Sequence, residues 1–312
     1  MSKLKGLLLT EGMHGMISQV EGLAKALDIE FTHHRVELNN FWKMIPPSLT
    51  PISNFVFKQI DAQDFDILIS CGRKSVIPSI YLKKNSKKKV FNIHIQDPKV
   101  SLNNFNIVIA PEHDGLNGKN VITSKGALHY LTLKEIKNNH DYLLNKIDKD
   151  KDYLLLILGG PNKYYNYDHQ NLINIFNKVK IILNKNNLKA IIIPSMRTPK
   201  KTIDLADEKM GKENLVIKSV DKKAYLSGLS LANYIVVTCD STSMISEAAM
   251  TGKPIYVADL PAKRQDQRFK KFRELFNKLN ITKNLNEKLE IWNCKSLDET
   301  SRIAKLIKKQ IS

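Results

Sequence analysis

Tyr234-Ile-Val-Val-Thr-Cys-Asp-Ser-Thr-Ser-Met-Ile-Ser-Glu-Ala-Ala-Met-Thr-Gly-Lys-Pro-Ile-Tyr-Val257 is the segment from which the architecture follows. A β-branched apolar run ends abruptly at Thr238, and Asp240, Ser241, Thr242 and Ser243, all helix-cap types, come just after. A helical segment then carries Glu247 in its first turns. Thr251-Gly252-Lys253-Pro254 stops that helix before a second apolar run at 255–257. The order reads strand, polar loop, helix, tight turn, strand. In an open parallel sheet, ligands bind at the carboxyl ends of strands, and the helix N-terminus that follows favours anions. One cap residue is enough to close a helix; four in a row predict a ligand loop.

Working outward, strand-like runs recur at 4–10, 29–36, 67–70, 90–95, 107–110 and around Val121. They return at 153–158, 190–194, 215–217, 235–238 and 255–257. Several are continuous apolar runs, as parallel strands buried on both faces require. Alternation with helical patterns such as 19–27 and 171–183 implies right-handed βαβ units. Between the halves, 132–152 is rich in lysine, asparagine and aspartate, with Leu131, Leu133, Ile136, Leu143, Leu144 and Ile147 on one helical face. That pattern predicts a helix and linker, with the boundary near Lys149-Asp150-Lys151. The expected architecture is α/β: two Rossmann-like, doubly wound parallel-sheet domains, 1–148 and 149–312, facing an interdomain cleft. The second is expected to carry an amphipathic helix over 297–311.

Composition narrows the function classes. At 312 residues the chain can build two cores. A 42% hydrophobic and 26% charged content is that of a soluble globular protein. No apolar run approaches the ~20 residues that span a bilayer, and residues 1–10 read as a first strand rather than a signal peptide. Cys71, Cys239 and Cys294 lie too far apart for a disulfide framework or metal site, which fits a reducing cytoplasm. The net charge of +18 comes from lysines spread along the chain among many asparagines and isoleucines. Its basic segments lack the interleaved aromatics of a single-strand-binding surface, so nucleic acid ranks last among partners. Peripheral contact with an anionic membrane fits the charge. Only seven of the 49 basic residues are arginine. In such a background an arginine marks a place that needs a planar fork; Arg73 and Arg197 both follow strands.

Four further groups of strand-end loops carry chemistry-bearing residues. Glu11-Gly12-Met13-His14-Gly15 pairs two glycines, suited to a tight turn and close ligand approach, with an imidazole at His14. Ser70-Cys71-Gly72-Arg73-Lys74-Ser75 adds positive charge at a strand end. Asp97-Pro98-Lys99 and Pro111-Glu112-His113-Asp114 follow; the latter places an imidazole beside carboxylates, the elements of a general base and its orienter. Gly159-Gly160-Pro161-Asn162 and Ser195-Met196-Arg197-Thr198-Pro199 open the second half, where Arg197 can fork onto a carboxylate or phosphate. No metal-ligand cluster, nucleophile elbow, Gly-Lys-Ser phosphate loop or Gly-x-Gly-x-x-Gly fingerprint is present. No metal, nicotinamide or flavin cofactor is therefore expected.

The ordered set Gly12-x-x-Gly15-x-x-x-Gln19, Ser70-Cys71-Gly72-Arg73-Lys74-Ser75, Asp97-Pro98-Lys99, Pro111-x-His113-Asp114, Gly159-Gly160, Ser195-x-Arg197-Thr198-Pro199, Asp240-Ser241-x-Ser243-Met244 and Glu247-Ala248 resembles the mitochondrial fission "elongated mitochondria" (ELM) family and its bacterial relatives. That family in turn looks like the glycosyltransferase-B superfamily. The resemblance implies a nucleotide-sugar donor held mainly by the second domain. Gly12, Gly15, Gly159, Gly160, Ser195, Arg197, Ser241, Thr242 and Ser243 would line the binding loops, and Glu247 would accept from ribose hydroxyls. A carboxylate at Asp240 would repel a diphosphate unless turned away or paired with Arg197 or a lysine. Three functions follow from the resemblance. One is metal-independent inverting glycosyl transfer with a base among His14, His113 and Asp114, in a cytoplasmic protein peripheral to the inner membrane. The others are nucleoside-diphosphate-sugar epimerisation and a non-catalytic scaffold that keeps the binding site.

Overall fold

The computed structural model describes residues 3–61 and 64–311. The chain forms two compact units, one comprising 1–130 with 298–312 and the other 131–297. Each is built around a six-stranded sheet in which every pairing is parallel.

In the first unit the strands are β1 (Lys5–Thr10), β2 (Glu30–Arg35), β3 (Ile67–Cys71), β4 (Phe91–Ile95), β5 (Ile107–Pro111) and β6 (Val121–Ser124). Their order is β2-β1-β3-β4-β5-β6. Alternate side chains enter opposite cores, as the period of two demands. Leu8, Ile67, Ile69, Ile93, Ile107 and Ile109 go to one core, and Leu7, Leu9, Leu68 and Val108 to the other. The first core is covered by helix α1 (His14–Leu27), through Val20, Leu23, Ala24 and Leu27. The second is covered by α2 (Val76–Lys84), through Val76, Ile77 and Ile80.

The second unit opens with the short α3 (Leu133–Asn138), closed by a capping box between Thr132 and Glu135. Its strands are β7 (Tyr153–Leu158), β8 (Lys189–Pro194), β9 (Leu215–Val216), β10 (Tyr234–Thr238), β11 (Ile255–Ala258) and β12 (Thr282–Asn284). They run β12-β11-β10-β7-β8-β9. Counted from β7, this is the dinucleotide-fold order 3-2-1-4-5-6 read from the far edge. All of β7 is buried, the signature of a central parallel strand covered on both faces. Helices α4 (His169–Asn186), α5 (Lys200–Met210), α6 (Lys222–Leu231), α7 (Thr242–Ala249) and α8 (Gln267–Lys278) connect the strands. Lys253, in the turn after α7, donates to the Leu229 and Ser230 carbonyls at 2.8 and 2.6 Å. It thereby satisfies the C-terminal end of α6, and burial pushes its ammonium down to about 8.

The eleven strands expected from the sequence are present, and a twelfth, Thr282-Lys-Asn284, lies at the sheet edge without an apolar run to announce it. The unit boundaries differ from the expected 1–148 and 149–312. The 132–152 segment belongs to the second unit, where Leu143 is buried and its N–H reaches Ser227 Oγ at 3.2 Å. The terminal helix α9 (Glu299–Ile311) returns to the first unit. Ile303, Ala304 and Ile307 join the α1 core, and Thr300 Oγ1 donates to the His129 carbonyl at 3.0 Å. An amphipathic helix packs where a matching apolar face is open, and its own pattern does not say which sheet offers one.

Candidate functional site

In a doubly wound sheet the ligand crevice opens where strand order reverses, outside the carboxyl ends of the two strands there. In the second unit those strands are β7 and β10. The loops leaving them begin at Gly159 and Cys239, and the loop from β8 begins at Ser195. These hold Gly159, Gly160, Ser195, Arg197 and Ser241, while Thr242, Ser243 and Glu247 ride on α7, which follows the β10 loop directly. The structure therefore brings Gly159, Gly160, Ser195, Arg197, Ser241, Thr242, Ser243 and Glu247 to one edge of one sheet.

Asp240 ties the three loops together. Its side chain is fully buried. Oδ2 accepts from Arg197 Nη2 at 2.8 Å and from the Gly160 N–H at 3.1 Å, and Oδ1 accepts from the Tyr167 hydroxyl at 2.6 Å. Arg197 Nη1 donates to the Gly160 carbonyl at 3.0 Å. The carboxylate thus satisfies both a guanidinium and a glycine N–H, which answers how an acid can stand beside an anion loop. Burial, and then the Asp240 charge, push the Tyr167 phenol well up.

The two glycines are required by this wiring. A Cβ at Gly159 would collide with the Asp240 carboxylate, and one at Gly160 with the Arg197 backbone carbonyl. Neither has a positive φ; what they allow is close approach. Ser195 and Thr198 close the β8 turn. The Ser195 N–H donates to Thr198 Oγ1 at 2.8 Å, and that hydroxyl reaches the Leu158 and Gly159 carbonyls at 2.8 and 2.6 Å. Ser195 therefore shapes the loop. Arg197 commits two nitrogens to Asp240 and Gly160, which differs from a fork held open for phosphate, although its side chain stays 39% exposed.

Ser241 is the N-cap of α7, its Oγ accepting the Met244 N–H at 3.3 Å. The simple capping role is thus real for one of the four residues. Thr242 and Ser243 form the first turn, half-exposed, and the N–H groups of a first turn have no partner within the helix. No acidic residue occupies that turn, which leaves the positive end of the dipole uncompensated by the helix itself. Glu247 lies one turn on. Its Oε2 accepts the Tyr225 hydroxyl at 2.8 Å, and burial pushes its carboxyl up to about 7, the Tyr225 hydrogen bond opposing the rise. Asn162, quoted with the Gly159 loop, donates through Nδ2 to the Asp240 carbonyl at 3.3 Å, whereas sequence reading missed Tyr167 and Tyr225. The aromatic cluster Tyr164-Tyr165-Asn166-Tyr167 downstream of the Gly159-Gly160 pair was the available signal.

The first-unit candidates are placed less tightly. Gly12, at φ +86°, makes the turn after β1, and a Cβ there would come within 2.9 Å of the flexible Arg35 side chain. Gly15 is the second residue of α1 with no such φ, so one glycine turns this loop where two were expected. Glu11 accepts from the Lys74 N–H at 3.2 Å and pairs with Lys74 Nζ at 2.9 Å, joining the loops after β1 and β3. His14 begins α1, exposed, with Nε2 3.4 Å from the Tyr130 hydroxyl. His113 Nε2 and Asp114 Oδ1 stand 3.6 Å apart after β5, beyond hydrogen-bond range. The strands that His14 and the His113–Asp114 pair follow, β1 and β5, are separated by β3 and β4 and so stand about 14 Å apart in the sheet. The two groups do not form one constellation. Among the described residues, no group of three or more His, Cys, Asp or Glu side chains is arranged to hold a metal ion.

The family model for mitochondrial fission ELM1 matches residues 14–311. The chain belongs to this family. An uncharacterised protein of Rickettsia prowazekii is 25% identical, with 96% of this chain and 97% of that protein aligned. The mitochondrial fission protein ELM1 of Arabidopsis thaliana is 24% identical over 79% of this chain, which spans 64% of the plant protein. Among solved structures, the chain is similar to a UDP-GlcNAc 2-epimerase from Methanocaldococcus jannaschii (TM-score 0.53, 16% identity, 99% of this chain and 100% of that one). It is also similar to a UDP-GlcNAc 2-epimerase from Neisseria meningitidis bound to UDP-GlcNAc (TM-score 0.54, 12% identity, 99% of each chain). The shared fold is of the glycosyltransferase-B type.

Proposed function

We propose that this ELM-family chain binds a nucleoside diphosphate or nucleotide sugar at the carboxyl edge of its second sheet. The observation that carries the reading is the loop cluster at the β7/β10 strand reversal, rigidified through Asp240 and open at the first turn of α7. In this reading the Thr242 and Ser243 N–H and hydroxyl groups hold the diphosphate. The exposed part of Arg197 offsets its charge, and Glu247 accepts from the ribose hydroxyls. Ser241 contributes by fixing the helix start. In this reading the positive potential comes mainly from the helix N-terminus, because Asp240 already balances the Arg197 charge.

Turnover is the finer part of the proposal. A metal-independent inverting transfer needs a base on the acceptor, and His14 or the His113–Asp114 pair are the first-unit groups of suitable chemistry. The exposed His14 imidazole is the more available of the two for an incoming hydroxyl. Epimerisation of the nucleotide sugar, and a binding protein without turnover, are the alternatives within the same site. The location that fits is the cytoplasm, with peripheral contact to an anionic membrane.

The test is a thermal-shift panel of nucleoside diphosphates and nucleotide sugars, headed by UDP-GlcNAc because the similar epimerase was solved with it. A ligand at a hundredfold excess over its dissociation constant stabilises by roughly 2.7 kcal/mol, a readily measured rise in melting temperature. The rise should vanish in Ser243→Ala and Glu247→Ala. If no nucleotide raises the melting temperature of the parent chain, the reading fails. Release of free nucleotide with candidate acceptors, or a changed sugar, then separates transferase and epimerase from binder.

A further inference from the structure

From Leu38 to Ile60 the chain contains three prolines and two lysines but no acidic residue. It folds into three short 3-10 turns, Asn40–Lys43, Pro47–Leu49 and Asn54–Val56. One side of this segment is fastened to the first unit. Leu38, Val56, Phe57 and Ile60 are buried in the core on the α2 face, with Trp42 packed against it. Asn39 Nδ2 donates to the Phe55 carbonyl at 2.6 Å, and the Arg73 guanidinium donates to the Lys43 carbonyl. The other side is bare: Phe41 is 66% exposed, Met44 85%, Leu49 73% and Phe55 57%. Phe41 and Phe55 flank Trp42, with ring centroids 4.8 and 5.8 Å from it, so these rings form one continuous apolar surface.

Single exposed apolar side chains are ordinary on soluble proteins. Here, five of the thirteen large apolar side chains that the described residues expose, Ile52 included, fall between Phe41 and Phe55. Such clustering marks a surface that is covered in use. Its charge says by what. Lys58 is paired with Glu37, whereas Lys43 and Arg73 pair with no carboxylate among the described residues, and the whole chain carries +18. Aromatic, methionine and leucine side chains standing out of a base-flanked loop fit the boundary between anionic headgroups and acyl chains. We propose that residues 39–57 form a membrane-docking surface that seats the first unit on an anionic lipid bilayer, with Phe41, Met44, Leu49 and Phe55 entering the interface. The surface rests on the membrane contact proposed above and not on the nucleotide site, so failure of the vesicle experiment and failure of the nucleotide panel are separate outcomes.

The experiment is co-sedimentation of the full chain with vesicles of phosphatidylcholine alone or with about one-third phosphatidylglycerol. The chain should pellet with the anionic vesicles, weakly or not at all with the neutral ones, and less as salt is raised. Combining Phe41→Ser, Met44→Ser and Phe55→Ser should weaken binding by about tenfold or more, while the chain still melts cooperatively with only the small loss expected from the Phe41 and Phe55 contacts with Trp42. In a Trp292→Phe background Trp42 is the remaining tryptophan of the two, and its emission should shift to the blue on adding anionic vesicles. Failure to pellet with anionic vesicles at low salt overturns the proposal. So does binding that the triple variant leaves intact. Concentration-dependent self-association abolished by the triple variant, without vesicle binding, would instead assign the surface to a second copy of the chain and equally overturn it.

Discussion

Asp240 is the residue on which the second-unit loops depend. Its carboxylate is buried and takes hydrogen bonds from Arg197, Gly160 and Tyr167. Removing Arg197 strips the cation from a buried acid. Such a break costs about 3–5 kcal/mol for a fully buried pair. Because Arg197 is 39% exposed, Arg197→Ala should cost about 2–4 kcal/mol in a denaturant melt, and Asp240→Asn in the same background should recover part of the loss. Glu247 makes a second prediction. Burial holds its carboxyl up to about 7, above the roughly 4.3 of a free glutamate. Across that interval the folded chain keeps a proton that the unfolded chain has released, so this group's contribution to stability falls as pH climbs and is flat above about 7. Glu247→Gln should therefore match the parent near pH 4.5 and exceed it at pH 8 by on the order of 2 kcal/mol; a gap independent of pH would refute the assignment. If the ionised carboxylate receives the ribose, affinity for a nucleotide sugar should rise about tenfold from pH 6 to pH 8. At this scale the polar run Asp240 to Ser243 was legible as a ligand loop. The division of labour within it was not, because Asp240's partners lie 43 to 80 positions away in the chain.

The strands were read from the sequence because parallel strands buried on both faces are continuous apolar runs, as β7 and β10 show. Edge strand β12, Thr-Lys-Asn, has one covered side and carries no such run, and so it escaped. Glycine spacing was a weaker guide than glycine surroundings. Gly12-x-x-Gly15 suggested two turn glycines, and only Gly12 has the left-handed φ. Gly159 and Gly160 matter because the loops from β8 and β10 pass against their α-carbons. Gly160→Ala would push a methyl into the Arg197 carbonyl, a backbone atom with no rotamer to escape through. It should cost about 1–3 kcal/mol of stability and weaken any ligand at the α7 N-terminus. A Gly160→Ala variant that melts with the parent and binds unchanged would show that the close approach is not a constraint.

At the level of the molecule, the chain leaves the first unit at Tyr130 and returns to it at Asp298, so the second unit is an insertion bounded on both sides. Hydrophobic periodicity found helix α9 but not its sheet, since Ile303, Ala304 and Ile307 would suit either core by pattern alone. The consequence is testable with fragments. Residues 131–297 should fold and melt cooperatively alone, whereas 1–148 should not, because it leaves Leu23, Ala24 and Leu27 of α1 without the α9 side chains that cover them. Adding 298–312 through a linker should restore it. A cooperative melt for 1–148 would contradict that assignment of α9.

The most direct test of the account is a crystal structure of the full chain with a nucleotide sugar that raises its melting temperature. Density for the diphosphate over the first-turn N–H groups of Thr242 and Ser243, with a ribose hydroxyl within hydrogen-bond reach of Glu247, is the predicted result. A nucleotide bound with its phosphates away from the β7/β10 edge would contradict it.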